Sequence, residues 1–188
     1  MTSDRPKSKS TNSTLEVRKA TIEDMEAVLA FYKQMIDEMQ GTDFDVLWKY
    51  DEHPTNASLR EATEQGQMYI GIAEDGNIAC AMVVNHDQAP GYEEVPWKIQ
   101  APVSNVGVIH SVATLPAYHG RGFATALMKG VIEMTRNEGL RSLRLDTFVD
   151  NDRSQGLYTK LGFDSLGNWP LYYDDLGTID FAMYEYVL

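Results

Sequence analysis

Between Thr21 and Gly41 the apolar positions Met25, Val28, Leu29, Tyr32, Ile36 and Met39 recur at the three-and-four spacing of one helical face. Thr21 with Asp24 makes a capping-box-like start, and Gly41 ends the helix. Leu15 to Ala20 alternates as a short strand before it, and Thr55 caps a short second helix that stops at Gly66. Met68 to Ala73 and Ile78 to Asn85 are strand-like runs around Asp75-Gly76, a strong hairpin turn. A connection from His86 to Ser104 with three prolines precedes the next apolar run, Val106 to Thr114. That run breaks at Leu115-Pro116 and opens a glycine-rich turn, from which a helix extends over about Arg121 to Asn137, closed by Gly139. Ser142 to Phe148 is another strand, Asn151 to Leu161 a short helix, and Thr178 to Leu188 a final strand after an aromatic loop.

This order predicts a mixed α/β fold: a mostly antiparallel sheet with one central strand-helix-strand crossover at the glycine turn. A length of 188 residues, with 43% hydrophobic and 23% charged positions, suits one domain, expected over 15–188. Residues 1–14 hold almost nothing apolar and are expected to be a disordered tail. No run reaches the roughly 18 apolar residues of a membrane span, and no apolar leader opens the chain, so neither a membrane partner nor secretion is expected and the location reads as cytoplasmic. The formal net charge of -12 argues against a nucleic-acid partner; its field favours cationic substrates, although keeping the protein soluble is the plainer reading of the acidity. Cys80, the only cysteine, lies in the apolar run Ile78 to Val84 and reads as a buried thiol. No spacing among His, Asp, Glu and Cys suggests a metal site.

The glycine turn has its own chemistry. Amides in the first turn of a helix have no intrahelical acceptor and sit at the positive end of the helix dipole. Gly120, Gly122 and small Ala124 let an anionic group approach them, so the turn reads as a phosphate cradle. Gly120-x-Gly122-x-x-Thr125 half matches a dinucleotide fingerprint, with Asp146 about twenty residues on. Thr125 stands where that fingerprint has its third glycine, and a hairpin precedes the unit. No Gly-Lys-Ser/Thr follows, which excludes a P-loop.

Two linked segments carry a resemblance. His119-Gly120-Arg121-Gly122-Phe123-Ala124 is similar to the Arg/Gln-x-x-Gly-x-Gly/Ala loop of the GNAT superfamily of acyl-CoA-dependent N-acyltransferases, with His119 in place of the usual Arg or Gln. Asn151-Asp152-Arg153-Ser154-Gln155-Gly156-Leu157-Tyr158-Thr159-Lys160-Leu161-Gly162-Phe163 resembles that family's Asn-x-x-Ala/Ser-x-x-x-Tyr-x-x-x-Gly-Phe segment. The resemblance implies acetyl-CoA as acyl donor and a primary amine as acceptor, joined by direct attack in a ternary complex. It implies that His119, Gly120, Arg121, Gly122, Phe123, Ala124 and Thr125 grip the pyrophosphate, with Lys129 a further source of positive charge. Main-chain groups of Val112, Ala113 and Thr114 would hold the pantetheine arm, as would Asn151, which also suits a helix cap.

Amine acylation needs a base, a donor for the thioester oxygen and an acid for the departing thiolate. The resemblance places the base at His110, whose ordinary pKa of about 6.5 suits proton acceptance at neutral pH. It places the acid, or a hydroxyl that binds the sulfur, at Tyr158. A strand histidine with water as base, and a core tyrosine, are the plainer readings of the same residues. The acceptor wall is expected from Phe44, Trp48 and Tyr50 and from the segment Trp169 to Asp175, Tyr173 above all, where aromatics stand beside carboxylates. The same rings suit a core edge or a homodimer interface. A small-molecule amine is the expected acceptor, with an amino acid, an antibiotic and a protein N-terminus left open; an idle acyl-CoA-binding module and a dinucleotide-binding protein are the alternatives.

Overall fold

Asp24 organises the first helix: its carboxylate accepts from the Thr21 amide at 2.7 Å and from the two arms of the Arg18 guanidinium at 2.7 and 2.8 Å. That grip holds the Asp24 carboxyl well below the usual carboxylate range, led by the Arg18 hydrogen bonds. A 3-10 turn over Ile22–Asp24 leads into α1, Met25–Met39. Its buried face is wider than the apolar stripe predicted, since Phe31 and Met35 are buried as well while Leu29 is only half-buried. Thr55 caps α2, Asn56–Glu64, by accepting from the Ser58 amide.

The computed structural model describes residues 14–43, 45–174 and 176–188. The tail predicted over 1–14 lies outside them except for Thr14, as do Phe44 and Asp175. Seven strands, β1 (Glu16–Lys19), β2 (Met68–Ile72), β3 (Ile78–Asn85), β4 (Val106–Thr114), β5 (Ser142–Phe148), β6 (Asp164–Tyr173) and β7 (Gly177–Val187), form one sheet in the order β1-β2-β3-β4-β5-β7-β6. Every neighbouring pair is antiparallel except β4 and β5, which α3 (Phe123–Asn137) connects. The predicted mixed α/β sheet with one central crossover is the observed one. No helix of the described residues is long and apolar enough to cross a membrane.

Two predicted elements need correction. The segment read as an aromatic loop is β6, paired along its length with β7. Its register breaks between Ser165 and Asn168, and Pro170 stands in it, tolerated because β6 is an edge strand with one neighbour. A bulge and a proline hide alternation from a reading of the chain alone. The helix predicted from Arg121 begins at Phe123, because Gly122 takes the left-handed φ of 79° and lies outside the helix as its cap. Strand boundaries shift by a residue or two elsewhere, as at β1 and β2.

Strand alternation sorts the sheet's side chains into two cores. Ile109, Leu143, Leu145, Ala182 and Tyr184 join the larger core with all the long helices. Val108, Leu171, Phe181 and Met183 face a second cluster closed by Tyr92, Val95 and Trp97. These three come from the proline-bearing connection between β3 and β4, which is therefore a packed cover over β4, β5, β7 and β6. Cys80 is buried in the larger core with its thiol pushed up to about 12 by desolvation, so it is inert as a nucleophile.

Candidate functional site

The site is built where β4 leaves its neighbours. Its ladder with β5 runs only from Val106–Ser142 to Val108–Arg144, although β4 continues to Thr114 and β5 to Phe148. Against β3, the pairs Ala81–Ala113 and Val83–His110 leave one extra residue in β4. This is a β-bulge at Ser111-Val112, and Ser111 has a left-handed φ of 51°. The Tyr32 hydroxyl of α1 donates to the Ser111 carbonyl at 2.7 Å and holds the bulge. Because a trans peptide sets C=O and N–H in opposite directions, the Val112 N–H turns away from Tyr32. Beyond Val108 the two parallel strands thus form a fork, with strand backbone along one side.

The glycine turn follows at the end of β4 and is braced from three directions. The Leu115 amide donates to the Ala79 carbonyl at 3.0 Å, the Tyr118 hydroxyl donates to Asp75 at 2.6 Å, and His119 Nε2 lies 3.0 Å from the Thr114 carbonyl. His119 therefore clips the turn to the strand, a structural task the sequence did not announce. Gly120 and Gly122 both take left-handed φ values, 74° and 79°, and a Cβ at either would meet nothing within 4 Å. Backbone conformation, not crowding, calls for glycine here, and the space over the turn is open. The first helical bond of α3 is Ala126 N–H to Gly122 C=O, so the amides from Gly122 to Thr125 have no intrahelical acceptor. Four such amides under open space form a donor set for an anionic group. The Arg121 guanidinium lies over the Phe123 ring, 4.7 Å from its centroid, and Lys129 is exposed.

Across the fork, Asn151 caps α4 (Asp152–Leu161), its Oδ1 accepting from the Ser154 amide at 3.1 Å. The cap leaves its Nδ2 and one lone pair of Oδ1 unused. Tyr158 is buried against the Phe163 and Tyr184 rings, and burial, then the nearby Asp146 charge, pushes its phenol well above the usual value. The phenol therefore carries its proton at neutral pH.

His110 follows Val108 onto the face covered by the β3–β4 connection. Among the described residues its buried Nε2 has no hydrogen-bond partner, a state that costs free energy until something donates to it. The pKa of its ring lies below the ordinary value, chiefly through burial; the charges of Asp146 and Asp87 and a bond to the Asp87 main chain offset this in part, while His53 adds to it. With Nε2 unpartnered, the Asp87 bond falls to Nδ1, which leaves Nε2 as the basic nitrogen.

Asp146, on β5, is the residue the sequence undervalued. Tyr92 donates to its Oδ1 at 2.5 Å and Tyr173 to its Oδ2 at 3.0 Å. Its charge reaches both His110 and Tyr158. Tyr92 is buried and held in turn: Trp97 Nε1 donates to the Tyr92 carbonyl at 2.7 Å, and Arg144 stacks over the Trp97 ring at 4.3 Å. Arg144 pairs with fully buried Glu185 at 3.1 Å, and Glu185 also accepts from Ser142 and the Lys98 amide, each at 2.6 Å. A buried ion pair thus anchors the cover that carries Tyr92 to Asp146.

The other expected wall residues divide. Tyr173 joins the cluster through Asp146. Trp48 is half-buried and meets His53 edge-on at 5.5 Å, and His53 is close enough to influence His110. Tyr50 is exposed, accepting from Asn56 at 3.0 Å and lying beneath Lys33. Asp87, Tyr92 and Asp146 were not on the expected wall; only their arrival at one point from separate segments reveals them.

A model of the acetyltransferase (GNAT) family matches residues 22–163. The chain is 35% identical over 57 residues to N-alpha-acetyltransferase 30 of Schizosaccharomyces pombe, covering 30% of this chain and 38% of that protein. It is 27% identical over 133 residues to the N-alpha-acetyltransferase RimI of Mycobacterium tuberculosis, covering 71% and 75%. The chain spans 62% and 35% of the length of two further curated relatives. The Salmonella typhimurium acetyltransferase yncA, solved with its cofactor acetyl-CoA, shares the fold at a TM-score of 0.67 and 19% identity, over 94% of this chain and 95% of that one. The family match covers the fork, the glycine turn and α4 together and displaces the dinucleotide reading of Gly120 and Gly122. A chain with this sheet, this bulge and this match belongs to the acetyltransferase (GNAT) family.

Proposed function

We propose that this chain transfers an acetyl group from acetyl-CoA to a primary amine by direct attack, with both substrates held in the fork between β4 and β5. The observation that carries the reading is the unpartnered, buried Nε2 of His110 beside the bulge, on the strand that runs into an open amide cradle. The amides from Gly122 to Thr125 bind the pyrophosphate, with Gly120 leaving room and Arg121 adding charge. The pantetheine arm lies along Val112, Ala113 and Thr114 as an added strand, met by the Asn151 Nδ2.

His110 Nε2 takes one proton from the acceptor's ammonium, freeing the nitrogen lone pair to attack the thioester carbonyl carbon. The Val112 N–H, turned away from Tyr32, donates to the thioester oxygen as it gains charge. As the carbon–sulfur bond breaks, Tyr158 gives its proton to the sulfur, and the second proton on the nitrogen restores the phenol. One proton is released for each amide formed. The acceptor is read as a small amine; two relatives are named N-alpha-acetyltransferases, so a peptide α-amine is the competing acceptor.

Thiol release from acetyl-CoA with a panel of primary amines tests the reading. His110→Ala is expected to lower kcat/KM about 10²–10⁴-fold, the range of general-base catalysis, and Tyr158→Phe to lower kcat. Acetyl-CoA at about 100 times its Kd should stabilise wild type and His110→Ala alike by about 2.7 kcal/mol. No stabilisation by acetyl-CoA would end the reading; stabilisation without amine-dependent release would leave a binding module.

A further inference from the structure

Asp146 is a half-buried carboxylate with an incomplete set of partners. Tyr92 and Tyr173 each occupy one of its oxygens, and a carboxylate offers about four lone-pair positions, so each oxygen keeps one. Among the described residues no Lys or Arg lies within ion-pair distance of this half-buried carboxylate, while the fully buried charges of the sheet, Arg144 and Glu185, pair with each other. Neutral phenols orient the carboxylate but do not balance its charge, and burial of an unbalanced charge is costly. The two tyrosines come from separate segments, one from the cover and one from the end of β6, and fix the direction of the carboxylate whose charge acts on His110.

We infer that Asp146, clamped by Tyr92 and Tyr173, is the seat for the acceptor's ammonium group, and that the acceptor class is therefore a strongly basic amine bound in its charged form. This rests on the amine-transfer reading, in which the acceptor enters as an ammonium, and adds to it the residue that seats that ammonium and the basicity of the acceptor class. It also explains an economy in the proton transfer. Before the transfer Asp146 faces an ammonium; afterwards it faces the imidazolium of His110, so the carboxylate always has a cation and little new charge separation is created. Asp87 faces His110 from the cover and His53 from the α1–α2 loop, but neither has the two-point clamp that gives Asp146 a fixed direction.

Paired amines of similar shape and different basicity provide the test: ethylamine against 2,2,2-trifluoroethylamine, and benzylamine against aniline, assayed at pH 7.5. Asp146→Asn keeps an acceptor for a tyrosine hydroxyl and removes the charge. It is expected to raise KM at least tenfold for the basic member of each pair, to change the weakly basic member less than threefold, and to keep the thermal shift with acetyl-CoA. Tyr173→Phe, at a half-exposed position, should move KM in the same direction by a smaller factor, and it carries the test if Asp146→Asn fails to fold. An equal loss for both members, or a fall in kcat with KM unchanged, would overturn the seat while the transferase reading stands. Absence of turnover by wild type with every amine would overturn both.

Discussion

The two sides of the fork are made differently. The side proposed for the donor comes from one continuous stretch, from the β4 bulge through the glycine turn and α3 to α4, and the groups proposed to work there are mostly backbone amides. The side proposed for the acceptor draws on side chains of four separate segments, His53, Tyr92, Asp146 and Tyr173, held by hydrogen bonds and a buried ion pair. A backbone site depends on local conformation, so a few glycines and a cap secure it. A side-chain site depends on packing across the sheet, so distant residues can loosen it without touching a ligand.

The largest effect that would separate the two sides comes from Glu185. Glu185→Ala leaves Arg144 buried without its partner and should cost about 3–5 kcal/mol in chemical denaturation, and at temperatures where the fold survives it should raise the amine KM more than the acetyl-CoA Kd. The double replacement Arg144→Met with Glu185→Leu should recover most of that stability. A single-variant loss under about 1 kcal/mol would show that the pair does not anchor the cover. Gly122→Ala probes the opposite side. Its φ of 79° should cost about 1–2 kcal/mol of stability and weaken acetyl-CoA binding about tenfold, with the amine KM little changed.

Tyr32→Phe addresses the bulge where the sides meet. Losing the 2.7 Å bond leaves the Ser111 carbonyl without its donor, which should cost about 1 kcal/mol and lower kcat several-fold with both binding steps nearly intact. An unchanged kcat would separate bulge geometry from catalysis. The gentlest probe is pH. Since the pKa of His110 is lowered by burial, kcat/KM should rise with pH along a limb lying below about 6.5, and a limb above pH 7 would point to another base. The unfolded chain binds more protons than the folded one in that window, so this group's share of stability is present above about pH 6.5 and declines as pH falls through the folded value.

Legibility followed the same division. The hairpin at Asp75-Gly76, the strand from Val106 to Thr114 and the crossover helix are readable because turns, caps and alternation act over a few residues, while Asn151 and Tyr158 stand out only through the family resemblance. Local pattern puts His110 on β4 but carries no sign that, among the described residues, its buried Nε2 has no partner. His119 reads as part of the phosphate grip, whereas the ring also clips Thr114 to the turn. Asp146 reads only as a dinucleotide contact to be weighed, and the His86 to Ser104 connection as a linker, because nothing local marks Tyr92 and Trp97 as partners of β5.

The chain's own pattern determined the succession of strands and helices, the glycine cradle and the helix that faces it, since each depends on backbone preferences spread over short spans. Tertiary structure alone decided the bulge held by Tyr32, the unpartnered nitrogen of His110 and the clamp on Asp146. Those features come from residues tens of positions apart whose meeting is set by sheet order and burial, and no local spacing encodes such a meeting.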